Sequence, residues 1–190
     1  MSYQNIAFVG KARSGKDTAG ERLVQHWMFT RLAFADPLKR MALQVDPLIP
    51  MKHLDSHARL SACVTAAGWE DAKDRWPEIR RVLQRMGHTV RELDPDFWVR
   101  ALMDKAKAAD GWNMPVVVTD CRYRNEAETL RAAGFRLVRI KRPTPLKKMR
   151  REALHPSETE LDGYPCDDTI INAGSVFDLH TAVDALVRRR

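Results

Sequence analysis

Nine residues near the start of the chain, Gly10-Lys11-Ala12-Arg13-Ser14-Gly15-Lys16-Asp17-Thr18, restrict the fold more than any other stretch. They follow the apolar run Ile6-Ala7-Phe8-Val9. Two glycines five apart and then a lysine let successive backbone N–H groups curl around a polyphosphate, with Lys16 reaching its oxygens. A helix starting near Gly15 would turn its positive end toward the same anion. The spacing therefore predicts strand, loop and helix, with Ala12, Ser14, Gly15, Lys16, Asp17 and Thr18 around the phosphates of a nucleotide. The usual pattern asks for a serine or threonine directly after the lysine. Here Asp17 stands in that place and Thr18 follows. A carboxylate beside phosphates is repelled unless a cation lies between them. Asp17 is accordingly read as facing Mg²⁺, with Thr18 offering a hydroxyl to phosphate or metal.

The 190 residues suffice for one domain with a full core, to which a small lid or insertion could be attached. Strand and helix signals alternate. Asn5 to Val9 reads as a short buried strand, and Lys16 to about Met28 as a helix with Ala19, Leu23 and Trp27 on one face. Leu32 to Ala35 reads as a second strand. Pro37 then opens a helix through Leu43, with Asp36 as its N-cap. From Val45 to Trp76 the pattern blurs, with Pro47 and Pro50 breaking it and a helical stretch over Ala58–Ala67; this region is expected to be an insertion or lid. Pro77 starts a helix ended by Gly87. Asp94-Pro95 starts another, running to about Ala109. Val116-Val117-Val118 is a strand of the fully buried kind. Asn125 to Ala133 reads as a helix, Phe135 to Ile140 and Thr169 to Ile171 as strands. Val176, Leu179, Val183 and Leu186 stripe a closing helix. This alternation predicts a three-layer α/β fold, a parallel sheet with helices on both faces.

Composition excludes several classes. No apolar run approaches the roughly 20 residues that span a membrane, and no charged-then-apolar leader opens the chain. Cys63, Cys121 and Cys166 form no Cys-x-x-Cys pair, which argues for a reducing compartment such as the cytoplasm. The net charge of +7 invites a nucleic-acid reading. Against it, arginines are scattered through every segment, and the only dense block is Arg188-Arg189-Arg190 at the end. A cleft holding several phosphates also calls for arginines. His53 and His57 sit four apart but near Pro50 and without an intervening glutamate, a poor metal pattern.

In parallel sheets ligands bind beyond the carboxyl ends of the strands, and the chemically interesting residues fall there. Asp36 and Lys39 follow the second strand. Asp120, Arg122 and Arg124 follow the valine strand, Arg142 the Ile140 strand, and Asn172 the last. An aspartate ending an apolar strand matches the second acid of phosphate-loop enzymes; otherwise Asp120 would cap a helix.

The loop, the run Arg80-Arg81-Val82-Leu83-Gln84-Arg85-Met86-Gly87, the run Asp96-Phe97-Trp98-Val99, Asp120-Cys121-Arg122 with Asn125-Glu126, and the tail Asp168 to Ser175 together resemble the phage deoxynucleoside monophosphate kinases. The likeness runs from the first strand to the final helix and is least from Val45 to Trp76. It implies the nucleoside monophosphate kinase form of the phosphate-loop fold, Mg-ATP as donor, a deoxynucleoside monophosphate as acceptor, and often a dimer. By motif, Arg13, Lys39, Arg80, Gly87, Trp98, Asp120, Arg122 and Glu126 would line the acceptor side. Two positions depart from the family pattern, His88 where threonine is usual and a variable aspartate at Asp36, and both bear on base preference.

The implied roles are specific. Ala12 to Thr18 and the Lys16 side chain would hold ATP, and Asp17 and Thr18 would position Mg²⁺. Arg13, Arg80 and Arg122 would clamp the acceptor phosphate or the transferring group, with Lys16 and Asp120 completing the catalytic set. Trp98 is read as a wall for the acceptor sugar and base or as a core residue, and Arg142 as stacking on adenine or solvated. His155-Pro156-Ser157-Glu158 matches the family's histidine-x-x-acid and would touch the acceptor or cap a helix. Lys147, Lys148, Arg150 and Arg151 would supply charge from a lid or form a solvated face. Two other readings are a phosphate-loop kinase of another small phosphorylated metabolite and a nucleic-acid-dependent ATPase.

Overall fold

The computed structural model describes residues 3–51, 56–143 and 156–189. Four residues with no side chain reaching solvent, Ile6 to Val9, form the central strand β1 (Ile6–Val9). A strand covered on both faces needs this continuous apolar run rather than alternation. It pairs in parallel with β5 (Val116–Cys121) on one side and β6 (Arg136–Lys141) on the other. Outside these lie β2 (Thr30–Leu32) and β7 (Asp168–Ile171), giving the parallel order β2-β5-β1-β6-β7. The chain leaves β1 between two neighbours that belong to opposite halves of the sheet, where such sheets open a crevice.

Two compact units divide the chain: residues up to Phe34 with those from Val99 on, and Ala35–Trp98. In the first, α1 (Lys16–Trp27) and α8 (Val176–Asp184) join the sheet in one core of Phe8, Leu23, Val117, Val138, Leu179 and Val183. Of the expected stripe on the closing helix, Leu179, Val183 and Leu186 are buried. Val176 is 59% exposed, because it sits in the first turn before the helix meets the sheet. The helix α6 (Arg124–Ala132) packs against β6 and ends before Gly134, which takes a φ of 80°. The helix α5 (Phe97–Gly111) leads into β5, and α7 (Pro156–Thr159) is a single turn.

The second unit includes residues 45–76 and extends past them on both sides. Its core is Ala42, Ile49, Leu60, Cys63, Ala72 and Ile79, from α2 (Ala35–Val45), the antiparallel hairpin β3 (Leu48–Met51) with β4 (Ser56–Arg59), α3 (Leu60–Arg75) and α4 (Pro77–Leu93). Gly68, at φ 70° and ψ 168°, breaks α3 into two pieces.

Several boundaries differ from the sequence pattern. The helix expected over Ala58–Ala67 starts at Leu60, after Ala58 has paired in β4, and runs to Arg75; the one expected from Asp94-Pro95 starts at Phe97. The second strand is Thr30–Leu32, not Leu32–Ala35; Ala33 and Phe34 are buried, but the Phe34 N–H leaves the ladder to donate to Asp120 Oδ1 at 2.8 Å. Asp36 lies inside α2, which begins at Ala35, rather than capping it. Gly87 lies mid-helix in α4, where a Cβ would stand 3.2 Å from Leu38 Cδ2, so its small size serves the approach of α2 and not a helix end. His57 is in β4, not on a helix, while His53, His155 and the basic residues Lys147, Lys148, Arg150 and Arg151 lie outside the described residues. No helix among the described residues is long and apolar enough to cross a membrane.

Burial, not membership of an apolar stripe, decides what a side chain contributes. Leu23→Ala should cost about 2–5 kcal/mol of stability and Val176→Ala within about 0.5 kcal/mol, read by urea unfolding followed through a probe in the first unit.

Candidate active site

The loop after β1 has the geometry that an anion requires. Gly15 caps α1 at φ 105°, and a Cβ there would meet Asn172 Nδ2 at 2.5 Å. At Gly10 a Cβ would press on the carbonyl oxygen of Ile140. Only glycine fits these places, both for the backbone angle and for the close approach. Asn172, just beyond β7, donates from Nδ2 to the Ser14 carbonyl at 2.9 Å and from its backbone N–H to Lys141 O at 2.7 Å. The last strand thus pins the loop to the sheet.

Lys16 is 5% exposed, and its ammonium donates to the carbonyls of Gly10 and Lys11, both at 2.7 Å. Burial, with Arg122 close by, lowers its pKa from 10.5 to about 8, while Glu158, Asp17 and Asp120 pull the other way. The Ser14 hydroxyl is buried with no hydrogen-bond partner among the described residues. A buried polar atom left unpaired is costly, and a phosphate oxygen is a group that would satisfy it. Arg13 is exposed at φ 61°, and the Ala12 N–H donates to Glu158 Oε2 at 2.6 Å.

At the end of β5, Asp120 holds the turn after β2 through Phe34 N and does not cap α6. Arg122 is half-buried and paired through Nη1 with Glu158 Oε1. Glu126 is 1% exposed; its Oε2 accepts the N–H groups of Arg122 at 2.8 Å and Tyr123 at 3.1 Å. That oxygen holds the backbone of the turn that presents Arg122. Arg142 is exposed just past β6.

The oxygen donors suit a hard cation such as Mg²⁺. Asp17 is exposed in the first turn of α1, beside the hydroxyl-bearing Thr18, and the charges of Asp17 and Asp120 both act on Lys16. An acid and a hydroxyl in the first turn of α1, and a second acid in β5 whose charge reaches the same buried ammonium, suit a metal–polyphosphate complex in charge.

In the second unit, Lys39 lies 5.5 Å over the Trp69 ring, and Arg80 pairs with Asp74 at 2.8 Å. The charges of both Lys39 and Arg80 reach Glu70 and Lys73, themselves 2.6 Å apart, and burial holds the Lys73 ammonium below the usual lysine range. Trp98 is 2% exposed and its indole N–H donates to Gly87 O at 3.3 Å, tying α4 to the start of α5. Burial favours the packing reading of Trp98 over a free stacking face. The sequence pattern missed Lys73 and Glu70, which carry no motif. It noticed Glu158 but not that its carboxylate reaches the loop, some 146 residues away in sequence.

A parallel five-stranded sheet with this loop after its central strand, a buried lysine in the loop and an aspartate ending the neighbouring strand define the phosphate-loop fold. Solved structures share the fold. A sugar kinase from Janibacter sp. HTCC2649 aligns with a TM-score of 0.51 at 14% identity, over 96% of this chain and 92% of that one. TT1252 from Thermus thermophilus aligns with a TM-score of 0.50 at 19% identity, over 98% and 97%. Residues 44–183 match the model of the family described as deoxynucleotide monophosphate kinase, and the chain belongs to that family. Among its relatives is the "Putative deoxynucleotide monophosphate kinase" of Acanthamoeba polyphaga mimivirus, 28% identical over 184 residues, covering 87% of this chain and 86% of that protein. "Uncharacterized protein ORF76" of Ictalurid herpesvirus 1 (strain Auburn) is 30% identical over 176 residues, 91% of this chain. This chain spans 62% of the length of ORF76 and 44% of that of its 37% identical neighbour ORF77.

The lowered Lys16 pKa gives a test of the loop. In the free protein the ammonium loses its proton as pH rises through about 8. A bound polyphosphate favours the charged form and raises the pKa again. ADP binding in magnesium-free buffer near pH 8.5 should therefore take up part of a proton, and affinity should fall above that pH. Calorimetry in two buffers of different ionisation heat reads the uptake, which Lys16→Ala should abolish.

Proposed function

We propose that this protein transfers the γ-phosphoryl group of Mg-ATP to a deoxynucleoside 5′-monophosphate, giving the diphosphate and ADP. The observation that carries the reading is the gathering of Lys16, Arg122, Asp120, Asp17 and the orphaned Ser14 hydroxyl around one glycine-shaped loop, in a chain of the deoxynucleotide monophosphate kinase family.

The chemistry asks little of an acid or base. The acceptor phosphate has a second pKa of about 6 and is largely dianionic at neutral pH, so its oxygen is already a nucleophile. That oxygen bonds to the γ-phosphorus as the bond to the β-phosphate oxygen breaks, and ADP departs with the electron pair. What limits the rate is bringing two anions into line and neutralising charge on the moving group.

Backbone N–H groups of residues 12–18 and the Lys16 ammonium hold the β- and γ-phosphates, and the Ser14 hydroxyl finds its partner there. Asp17, Thr18 and Asp120 would hold Mg²⁺, which when bound supplies charge neutralisation across the phosphate oxygens. Arg122 faces the moving group, with Glu126 fixing the turn that carries it. Arg13 assists from the loop, and Arg142 serves the adenine. In the second unit Lys39 and Arg80 serve the acceptor, while Gly87 and Trp98 hold the helices that carry them. A homodimer follows the family habit, and cytoplasmic residence the cysteine usage.

Release of ADP, measured with each of dTMP, dGMP, dCMP and dAMP in turn, tests the activity. At least one should support turnover; failure of all four, with turnover stimulated by DNA, would replace this reading by a nucleic-acid-dependent ATPase. Arg122→Ala should lower kcat on the order of 10³-fold if the guanidinium meets the transition state. Asp17→Ala should raise the Mg²⁺ needed for half-maximal rate far more than the KM for the acceptor, and an unchanged magnesium requirement removes Asp17 from the metal's shell.

A further inference from the structure

A carboxylate already sits among the groups that would bind phosphate. Glu158, in the short helix α7, places Oε2 2.6 Å from the Ala12 N–H of the loop and Oε1 on the guanidinium of Arg122. Its charge also acts on Lys16. A loop amide, an arginine fork and a nearby ammonium are the donors expected for a phosphoryl oxygen, and here a side chain of the same protein uses them. The Glu158 side chain is only 12% exposed, so the contact is largely shielded from water.

The surrounding segment is anchored well enough to make that position specific. Leu161 is buried, and Arg139 Nη2 donates to the carbonyls of Leu161 at 2.9 Å and Tyr164 at 2.7 Å. Glu160 Oε1 accepts the Arg124 N–H at 2.8 Å, and Asp162 pairs with Lys11 at 3.1 Å. Three acids spaced two apart thus each meet a different part of the loop side of the sheet, and only Glu158 meets both the loop backbone and Arg122.

We propose that Glu158 is a built-in competitor for phosphate: its carboxylate shares the Ala12 amide and Arg122 with a phosphoryl group, and must give them up when a polyphosphate binds. Glu158 then sets the affinity of the loop for anions, and keeps Arg122 and Lys16 neutralised until the displacing phosphate arrives. The proposal rests on residues 10–18 being a phosphate loop.

Binding of inorganic tripolyphosphate tests it without requiring any acceptor or turnover. Glu158→Gln keeps the size of the side chain and removes its charge. Calorimetric titration should show tripolyphosphate bound about tenfold more tightly by Glu158→Gln than by the unaltered protein, since charge-assisted bonds are roughly twice as strong as neutral ones. Glu160→Gln removes the same charge from the same segment, away from the loop amide, and should leave the affinity within about twofold. Equal or weaker binding by Glu158→Gln makes the residue a fixed support of Arg122 and overturns the proposal, as does equal tightening by Glu160→Gln, which marks a mere net-charge effect. If the unaltered protein binds no tripolyphosphate, the phosphate-loop reading fails and takes this one with it. A measurement on the unaltered protein stands whether or not the variant folds. On saturation with tripolyphosphate, deuterium uptake should fall over residues 10–18 and rise over 157–163, and protection of both segments overturns displacement.

Discussion

An ammonium group buried at the carboxyl end of a parallel sheet is the constraint around which this molecule is arranged. Lys16 stands in the first turn of α1, where unpaired backbone N–H groups already make the surroundings positive, and is removed from water that would spread its charge. Burial, with the Arg122 guanidinium close by, works against holding a proton, and its pKa falls to about 8. Such a group persists only if oxygens are brought to it. The carbonyls of Gly10 and Lys11 turn inward to accept its protons, and the loop can fold that way only because glycines occupy its tight places. Glu158, Asp17 and Asp120 add negative charge nearby. The same needs that make the lysine uncomfortable alone make it a strong partner for a polyanion.

The acids at the site divide by what their oxygens already do. Glu126 is committed to two backbone N–H groups and shapes a turn. Asp120 gives one oxygen to Phe34 N and so couples the end of β2 to the end of β5. Asp17 is exposed at the helix start, which leaves it suited to a hydrated cation. Glu158 is bonded to the very donors an incoming phosphate would use. Four carboxylates within one region therefore carry different tasks, and their partners, not their residue type, separate them.

Local rules make much of this legible in the amino-acid sequence. The loop, the fully buried β1, the valine run of β5 and the end of α6 before Gly134 depend on contacts within a few residues, so pattern and spacing suffice. The misread places have long-range causes. Leu32 to Ala35 looks like a strand because it is apolar, yet Asp120, distant in sequence, takes the Phe34 N–H and turns the chain away. Gly87 looks like a helix terminator, yet what it accommodates is Leu38 of a neighbouring helix. The hairpin of β3 and β4 is hidden by Pro47 and Pro50, since a proline in a two-stranded edge costs little when its missing N–H faces outward. Lys73 and Glu70 form a charge cluster only because the second unit folds Lys39 and Arg80 toward them.

Several arginines also make long-range contacts that hold the fold. Arg136, 7% exposed within β6, donates to Leu186 O at 2.8 Å and pairs with Asp168 at 2.5 Å, fastening the chain that follows α8 to the sheet. Arg139, further along the same strand and nearer the site, donates to the carbonyls of the segment that carries Glu158. Arg22 forks onto Asp184, which also accepts the Trp27 indole N–H, and so joins α1 to α8. A planar guanidinium with five donors can meet several oxygens at once, and these arginines fasten helices, strand ends and connecting segments to one another. Charge spent in this way contributes little to an attractive surface for a polynucleotide, whose phosphates need cations aligned along one exposed face. Beside the loop, Glu158 pairs with Arg122 and its charge acts on Lys16, so part of the positive charge there is met from within the chain.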